Sequence, residues 1–137
     1  MMLQYDKPLP QITPESKEFW QGCRRHELLI QRCRSCGTFR HYPRAMCPNC
    51  GSWDTEWVKA SGRGKVYSWT ITHRPFHPGF AKDVPYASVI VELDEGVRLM
   101  TEIVDAKPEE LYVGMPVEVT FQDVAKEISL PKFRKAR

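Results

Sequence analysis

Apolar positions fall in two different rhythms along the chain. Thr13-Pro14-Glu15-Ser16 reads as a helix start, with Thr13 placed to cap, Pro14 at the first helical position and Glu15 at the positive helix end. The helix is predicted to run through Phe19 and Trp20 to about Arg24, with Phe19 and Cys23 on one face. Those aromatics either pack on the rest of the chain or form a surface for a partner. Glu27 to Arg32 predicts a short strand. Ser52 to Ala60, with Trp53, Trp57 and Val58, predicts a strand returning beside it. From Gly62 onward the pattern becomes that of short strands: Val66–Thr72, Ala87–Leu93 and Val97–Val104, the last two divided by the turn signal Asp94-Glu95-Gly96. Asp105 to Tyr112 predicts a short helix ended by Gly114. Pro116 to Phe121 alternates Val117, Val119 and Phe121 on one face, and Lys126 to Leu130 is a candidate fifth strand. Three strands, a short helix and two strands is the element order of an OB-fold, a small partly open barrel, although SH3-like barrels share much of it.

Composition narrows the class. The 137 residues are 42% hydrophobic and 27% charged, as in ordinary globular chains, and leave room for one domain or two very small ones. Eleven prolines and eight glycines exclude a coiled coil. No run approaches the roughly 18–20 apolar residues of a membrane span. The opening MMLQYDKPLPQ lacks a basic-then-apolar secretory pattern, and five cysteines, an odd number with the last four spaced for metal, point to a reducing, cytoplasmic compartment; no membrane partner is expected. The net charge of +3 is uneven: residues 1–62 carry +3, residues 63–131 carry −4 and residues 132–137 carry +4. A mildly acidic body is a poor footprint for gripping nucleic acid.

Chemistry concentrates in the cysteines. Cys33-Arg34-Ser35-Cys36-Gly37 is matched by Cys47-Pro48-Asn49-Cys50-Gly51, with ten residues between Cys36 and Cys47. Two cysteines three apart on a tight turn aim both sulfurs at one ion, and glycine closes each turn. Two such knuckles supply four thiolates and leave zinc no open position, which is the ligand count of a structural site. About thirty residues bury too little apolar surface to fold alone, and metal binding supplies what is missing. Zinc is expected ahead of iron, since a thiolate tetrahedron suits both. Two disulfides or unrelated reduced thiols are the alternatives. Arg32, Arg34, Arg40 and Arg44 would offset the site's negative charge. His41, between the knuckles, is expected on the surface, and Cys23 as a small buried residue of the helix.

One further segment draws attention. The long connection from Thr72 to Asp83 mixes cations with aromatics, and in an OB-fold this loop commonly frames the ligand groove. Arg74 and Lys82 suit phosphate, and Phe76 and Phe80 suit a ring or an acyl chain. The alternative is a proline-stiffened loop packed on the ribbon. The prolines around His73 and His77 disfavour a shared metal on one helical face. No glycine-rich phosphate cradle, Rossmann fingerprint or nucleophile elbow occurs, and no carboxylate pair suggests an acid and a base in one pocket. A binding or accessory protein is expected rather than an enzyme.

Across nearly its whole length the chain resembles the acyl-CoA-associated OB-fold proteins with an N-terminal rubredoxin-like zinc ribbon. The resemblance rests on Phe19-Trp20, Leu28-Leu29-Ile30-Gln31-Arg32-Cys33, Pro43-Arg44 and the two knuckles. In the barrel it rests on Ser61-Gly62-Arg63-Gly64-Lys65-Val66-Tyr67-Ser68, Val84-Pro85-Tyr86, Val91-Glu92-Leu93-Asp94-Glu95-Gly96 and Val113-Gly114-Met115-Pro116-Val117. It implies a mainly β chain divided into a helical segment (1–26), a ribbon (27–60) and an OB-fold domain (61–137). It implies a non-catalytic scaffold subunit beside a thiolase, a thiolase-like condensing enzyme or an acyl-CoA hydratase, with the barrel holding acyl-CoA. From that ligand's chemistry, Arg74, Lys82, Lys132 and Arg134 are candidates for the phosphates. The competing readings are a single-stranded nucleic-acid module, with Tyr67, Trp69 and Phe76 stacking bases, and a rubredoxin-like redox carrier.

Overall fold

The computed structural model describes residues 5–137. Of the ten residues read as irregular at the start, residues 1–4 lie outside the described ones; residues 5–10 are without regular structure.

The helix α1 (Lys17–Arg24) begins three residues later than the predicted Pro14 start. Thr13 and Ser16 account for the difference. The Ser16 amide donates to Thr13 O and Oγ1, and the Thr13 amide donates to Ser16 Oγ at 3.0 Å, closing a separate turn ahead of the helix. Phe19, Gly22 and Cys23 form the buried face of α1, as the spacing predicted.

Two sheets follow. The first has the order β2-β1-β3, from β1 (Leu29–Cys33), β2 (Phe39–Arg40) and β3 (Thr55–Lys59), all antiparallel. The return strand pairs with the first from Leu29↔Lys59 to Cys33↔Thr55, as expected. The second sheet contains β4 (Arg63–Thr72), β5 (Tyr86–Leu93), β6 (Arg98–Thr101), β7 (Pro116–Ala125) and β8 (Ile128–Lys135), in the order β6-β5-β4-β7-β8. A parallel bridge between Ile103 and Phe133 brings its two edges together, so the sheet is a nearly closed five-stranded barrel. This is the predicted mainly β architecture of helix, ribbon and OB-type barrel.

Two expectations in the barrel change. The helix foreseen over Asp105–Tyr112 is a single 3-10 turn, Pro108–Glu110. The basic tail is largely strand: β8 continues five residues past Leu130. Phe133 explains this, since its fully buried ring lies in the barrel core with Val66, Val89, Val91 and Val117. A strand that alternates Phe133 inward with Lys132 and Arg134 outward reads as a basic tail when charges alone are counted. One apolar core runs from Phe19, Cys23, Leu28 and Ile30 into the barrel, and α1 packs against both β1 and β8.

Candidate metal centre and adjoining cavity

The knuckles sit at the end of β1 and on the loop before β3. Gly37 and Gly51 both have φ of 78°, the left-handed conformation that closes a turn without a Cβ penalty. The amides of Gly37 and Gly51 donate to the carbonyls of Cys33 and Cys47 at 2.8 and 2.9 Å, fixing the two turns alike. The four sulfurs of Cys33, Cys36, Cys47 and Cys50 lie within 4.8 Å of one another, and all five cysteines are free.

The spacing fits one tetrahedral ion. Metal–sulfur bonds of about 2.3 Å give tetrahedron edges of about 3.8 Å. The separations are 3.5 Å for Cys33–Cys50 and 3.7 Å for Cys36–Cys47, each joining one knuckle to the other. Donors around Cys36 and Cys33 favour the thiolate that a metal requires, whereas Cys50, although the Ser52 backbone lowers it, is pushed up to about 12 by the neighbouring thiols of Cys33, Cys36 and Cys47. Thr38 Oγ1, 3.2 Å from Cys36 Sγ, and the Asn49 side-chain amide, 3.6 Å away, hold the Cys36 thiol down to about 5. The backbone amide of Cys36 does the same for Cys33, in direction. Cys33 and Cys47 are buried, and Cys36 and Cys50 face outward. Cys23 belongs to the helix face, where burial pushes its thiol up to about 12, so it is inert packing rather than a ligand.

Three of the four arginines expected to offset the site have other partners. Arg32 and Arg34 approach Glu56 and Asp54 at 3.9 and 3.7 Å. Arg40 is buried and donates from Nη2 to Arg44 O and Thr55 Oγ1, both at 2.7 Å. Gln31 was not singled out by the sequence. It is buried in β1 and makes two bonds to the backbone of Arg44, at 2.7 and 3.0 Å, and so fixes the segment between the knuckles. Its only sequence signal is a polar residue in an apolar strand.

Beside the ribbon lies a cavity of about 510 Å³ between α1, the segment His41–Pro43 and the outer face of the barrel where β6 and β8 approach. Phe19, Trp20, Tyr42, Leu99, Met100 and Leu130 form its apolar walls. The amide of Met100, on edge strand β6, donates to the Tyr42 hydroxyl at 3.2 Å and ties ribbon to barrel. His41 is not the surface residue expected. It sits half-buried against Phe19 and Tyr42, and burial lowers its imidazole pKa to about 4.

The candidate ligand residues separate into two groups. Phe80 and Lys132 line this cavity. Arg74, Phe76 and Lys82 are exposed on the β4–β5 connection and do not line it, and Arg134 on β8 is held by Glu118 at 2.9 Å. Lys132 is paired with Glu102, and Lys7, on the N-terminal segment, pairs with Asp83 at 2.6 Å and lies over the Phe80 ring. No helix of the described residues is long and apolar enough to cross a membrane.

Comparison with known proteins matches this geometry. The family model "ChsH2, rubredoxin-like zinc ribbon domain" matches residues 20–56, and "ChsH2, C-terminal OB-fold domain" matches residues 57–122. A "DUF35 domain-containing scaffold protein" of Methanocaldococcus jannaschii is 40% identical over 104 residues, covering 75% of this chain and 73% of that protein. The chain belongs to the DUF35 family. A "Probable enoyl-CoA hydratase alpha subunit" of Thermomonospora curvata is 41% identical over 130 residues. That alignment takes in 95% of this chain, which thus spans 40% of the relative's length. "Benzoylsuccinyl-CoA thiolase subunit BbsA" of Geobacter metallireducens is 36% identical over 72 residues, covering 53% of this chain and 47% of that subunit. Among solved structures, a chain of the "Ltp2-ChsH2(DUF35) aldolase" superposes with a TM-score of 0.84 at 40% identity, covering 94% of this chain and all of that one.

Proposed function

We propose that this DUF35 chain is a non-catalytic accessory subunit, cytoplasmic, that docks a thiolase-type enzyme or an acyl-CoA hydratase and binds the acyl-CoA that the partner transforms. One structural zinc holds its ribbon. The observation that carries the reading is the full-length likeness to a chain found inside an aldolase assembly. The names of the hydratase and thiolase relatives support a CoA thioester as the shared ligand. The tetrathiolate supports zinc as a structural ion, because four protein ligands fill its tetrahedron and leave no position for substrate.

The ribbon's part in this role is rigidity. Its metal fixes the segment carrying His41, Tyr42 and Arg44, and that segment forms one wall of the cavity. The β4–β5 connection suits the docking or CoA-phosphate role. Arg74 and Lys82 are exposed, and no carboxylate among the described residues lies within 4.0 Å of either. Among the described residues, Phe76 is the most exposed of the large apolar side chains, at 84%. An exposed aromatic on a loop anchored at its base is the kind of group that becomes an interface anchor.

The test is affinity purification of the tagged native protein, with mass spectrometry of its protein and small-molecule contents and elemental analysis of the chain. Recovery of a thiolase-fold or hydratase enzyme in fixed stoichiometry, with one zinc per chain, is expected. Turnover of an acyl-CoA by the purified chain alone, or a red iron-loaded chain that cycles between redox states, overturns the reading.

A further inference from the structure

We propose that the cavity between α1, the ribbon and the β6–β8 seam holds the acyl chain and thioester of the ligand, while the CoA phosphates lie outside it. This rests on the acyl-CoA reading above and assigns that ligand a place and an orientation.

The argument begins with polarity along the cavity. One end is apolar, walled by Trp20, Met100 and Leu130 among others. The other end carries Lys7 and Lys132, whose partners are Asp83 and Glu102. Two ammonium groups and two carboxylates sum to zero, so this end has no net charge with which to hold a phosphate. It is nevertheless rich in donors. Each ammonium has three N–H groups and spends one on its carboxylate, and the Ser88 hydroxyl lies nearby on β5. A neutral carbonyl flanked by an apolar chain fits such an end, and a dianionic phosphate does not. The His41 imidazole in the wall is neutral at pH 7 and adds no charge.

Size gives the chain length. At roughly 30 Å³ per methylene-sized group, about 510 Å³ holds on the order of a dozen carbons with space left at the mouth. A ligand pocket of that volume is ordinary for a small organic molecule. A second cavity, also of about 510 Å³, shares Lys7, Glu102 and Lys132 with the first and is lined by Thr120 and Gln122. The pantetheine arm, with its amides, therefore has a polar path out past the same ion pairs. This places the phosphates away from Lys132 and, with Arg134 held by Glu118, leaves Arg74 and Lys82 of the four candidate cations to meet them.

The experiment is calorimetric titration of the full zinc-loaded chain with CoA, acetyl-CoA, butanoyl-CoA and octanoyl-CoA, with tryptophan emission followed in parallel. Affinity is expected to rise at least tenfold from acetyl-CoA to octanoyl-CoA. Of the four tryptophans, Trp20 alone lines the cavity, so octanoyl-CoA should shift the emission in the unmutated chain and not in Trp20→Phe. Ser88→Trp and Leu130→Trp fill the cavity and should weaken octanoyl-CoA at least tenfold, whereas Ser68→Trp, on an exposed position of β4 outside it, should not. Each variant is first checked for metal content and far-UV spectrum, and the length series on the unmutated chain reads the site even if both fillers fail to fold. Equal affinity for CoA and octanoyl-CoA, or tight octanoyl-CoA binding that the folded fillers and Trp20 do not report, overturns this placement while leaving the acyl-CoA reading intact. No binding of any CoA ester, to the chain or to its purified complex, removes the acyl-CoA reading and this placement with it.

Discussion

Replacing His41 with phenylalanine should make the protein more resistant to acid by a calculable amount. The His41 ring lies against Phe19 and Tyr42, with centroids 5.2 and 4.3 Å away. Burial lowers its pKa from 6.5 to about 4. The unfolded chain therefore takes up a proton near pH 6.5, and the folded chain only near pH 4. With more protons bound to the unfolded state in that window, stability falls as the pH falls. The contribution of the neutral ring is complete above about pH 6.5. It declines by about 1.4 kcal/mol per pH unit below that and levels off below about pH 4, a total of about 3 kcal/mol. At pH 5 the loss is about 2 kcal/mol. Phenylalanine keeps an aromatic ring among aromatic neighbours and cannot titrate. Urea unfolding of both proteins at about pH 7.5 and pH 5, at constant ionic strength, gives the two stabilities at each pH. Acid also protonates the thiolates and loosens the metal, but it does so equally in both chains, so the difference between the proteins isolates His41. That difference should move by about 2 kcal/mol in favour of His41→Phe on going to pH 5. A difference constant to within about 0.5 kcal/mol would refute the buried, neutral histidine.

Three other outcomes follow from named contacts. Cys47→Ser removes one of the cluster's two buried sulfurs; it should abolish stoichiometric metal in elemental analysis and expose the ribbon to protease, since structural metal binding supplies on the order of 10 kcal/mol. Phe133→Ala, at a side chain with 0% exposure, should cost about 4 kcal/mol in urea unfolding, and a cost below about 1 kcal/mol would show that β8 is not the strand closing the core. Phe76→Ala should leave stability within about 0.5 kcal/mol, because the ring is 84% exposed, and should lower recovery of the partner enzyme in a pull-down.

Much of the fold was legible because local signals carried it. The knuckles dictate their own turns, and Phe19 and Cys23 lie one helical turn apart. The pairing of the Trp57 segment with β1 follows from two short apolar runs flanking one metal site. What the sequence hid was set by competition. Thr13 and Ser16 satisfy each other's amides and take the first turn away from α1. Four cations in the last six residues outweigh one phenylalanine in any count of charge, yet Phe133 decides the structure. A single buried aromatic is worth a few kcal/mol, whereas Lys132, Arg134 and Lys135 stay partly exposed and paired with Glu102, Glu118 and Glu110, so holding them in a strand costs little.

The metal centre and the cavity differ in legibility for a physical reason. A metal site built from two knuckles is encoded in two short stretches, so spacing alone reveals it. The cavity is assembled from the N-terminal segment, α1, the loop between the knuckles, β5, β6 and β8, and none of these contributes a motif. The sequence pointed instead to the β4–β5 connection, where cations and aromatics stand close together in the chain. The structure places only Phe80 of that group in the cavity wall and leaves Arg74, Phe76 and Lys82 facing outward. Groups that face outward on an anchored loop suit a partner surface or a phosphate in solution, and groups that converge on an apolar-walled cavity whose charges balance suit an acyl chain. A CoA thioester has both kinds of part, so one ligand accounts for the apolar cavity wall and the outward-facing cations together.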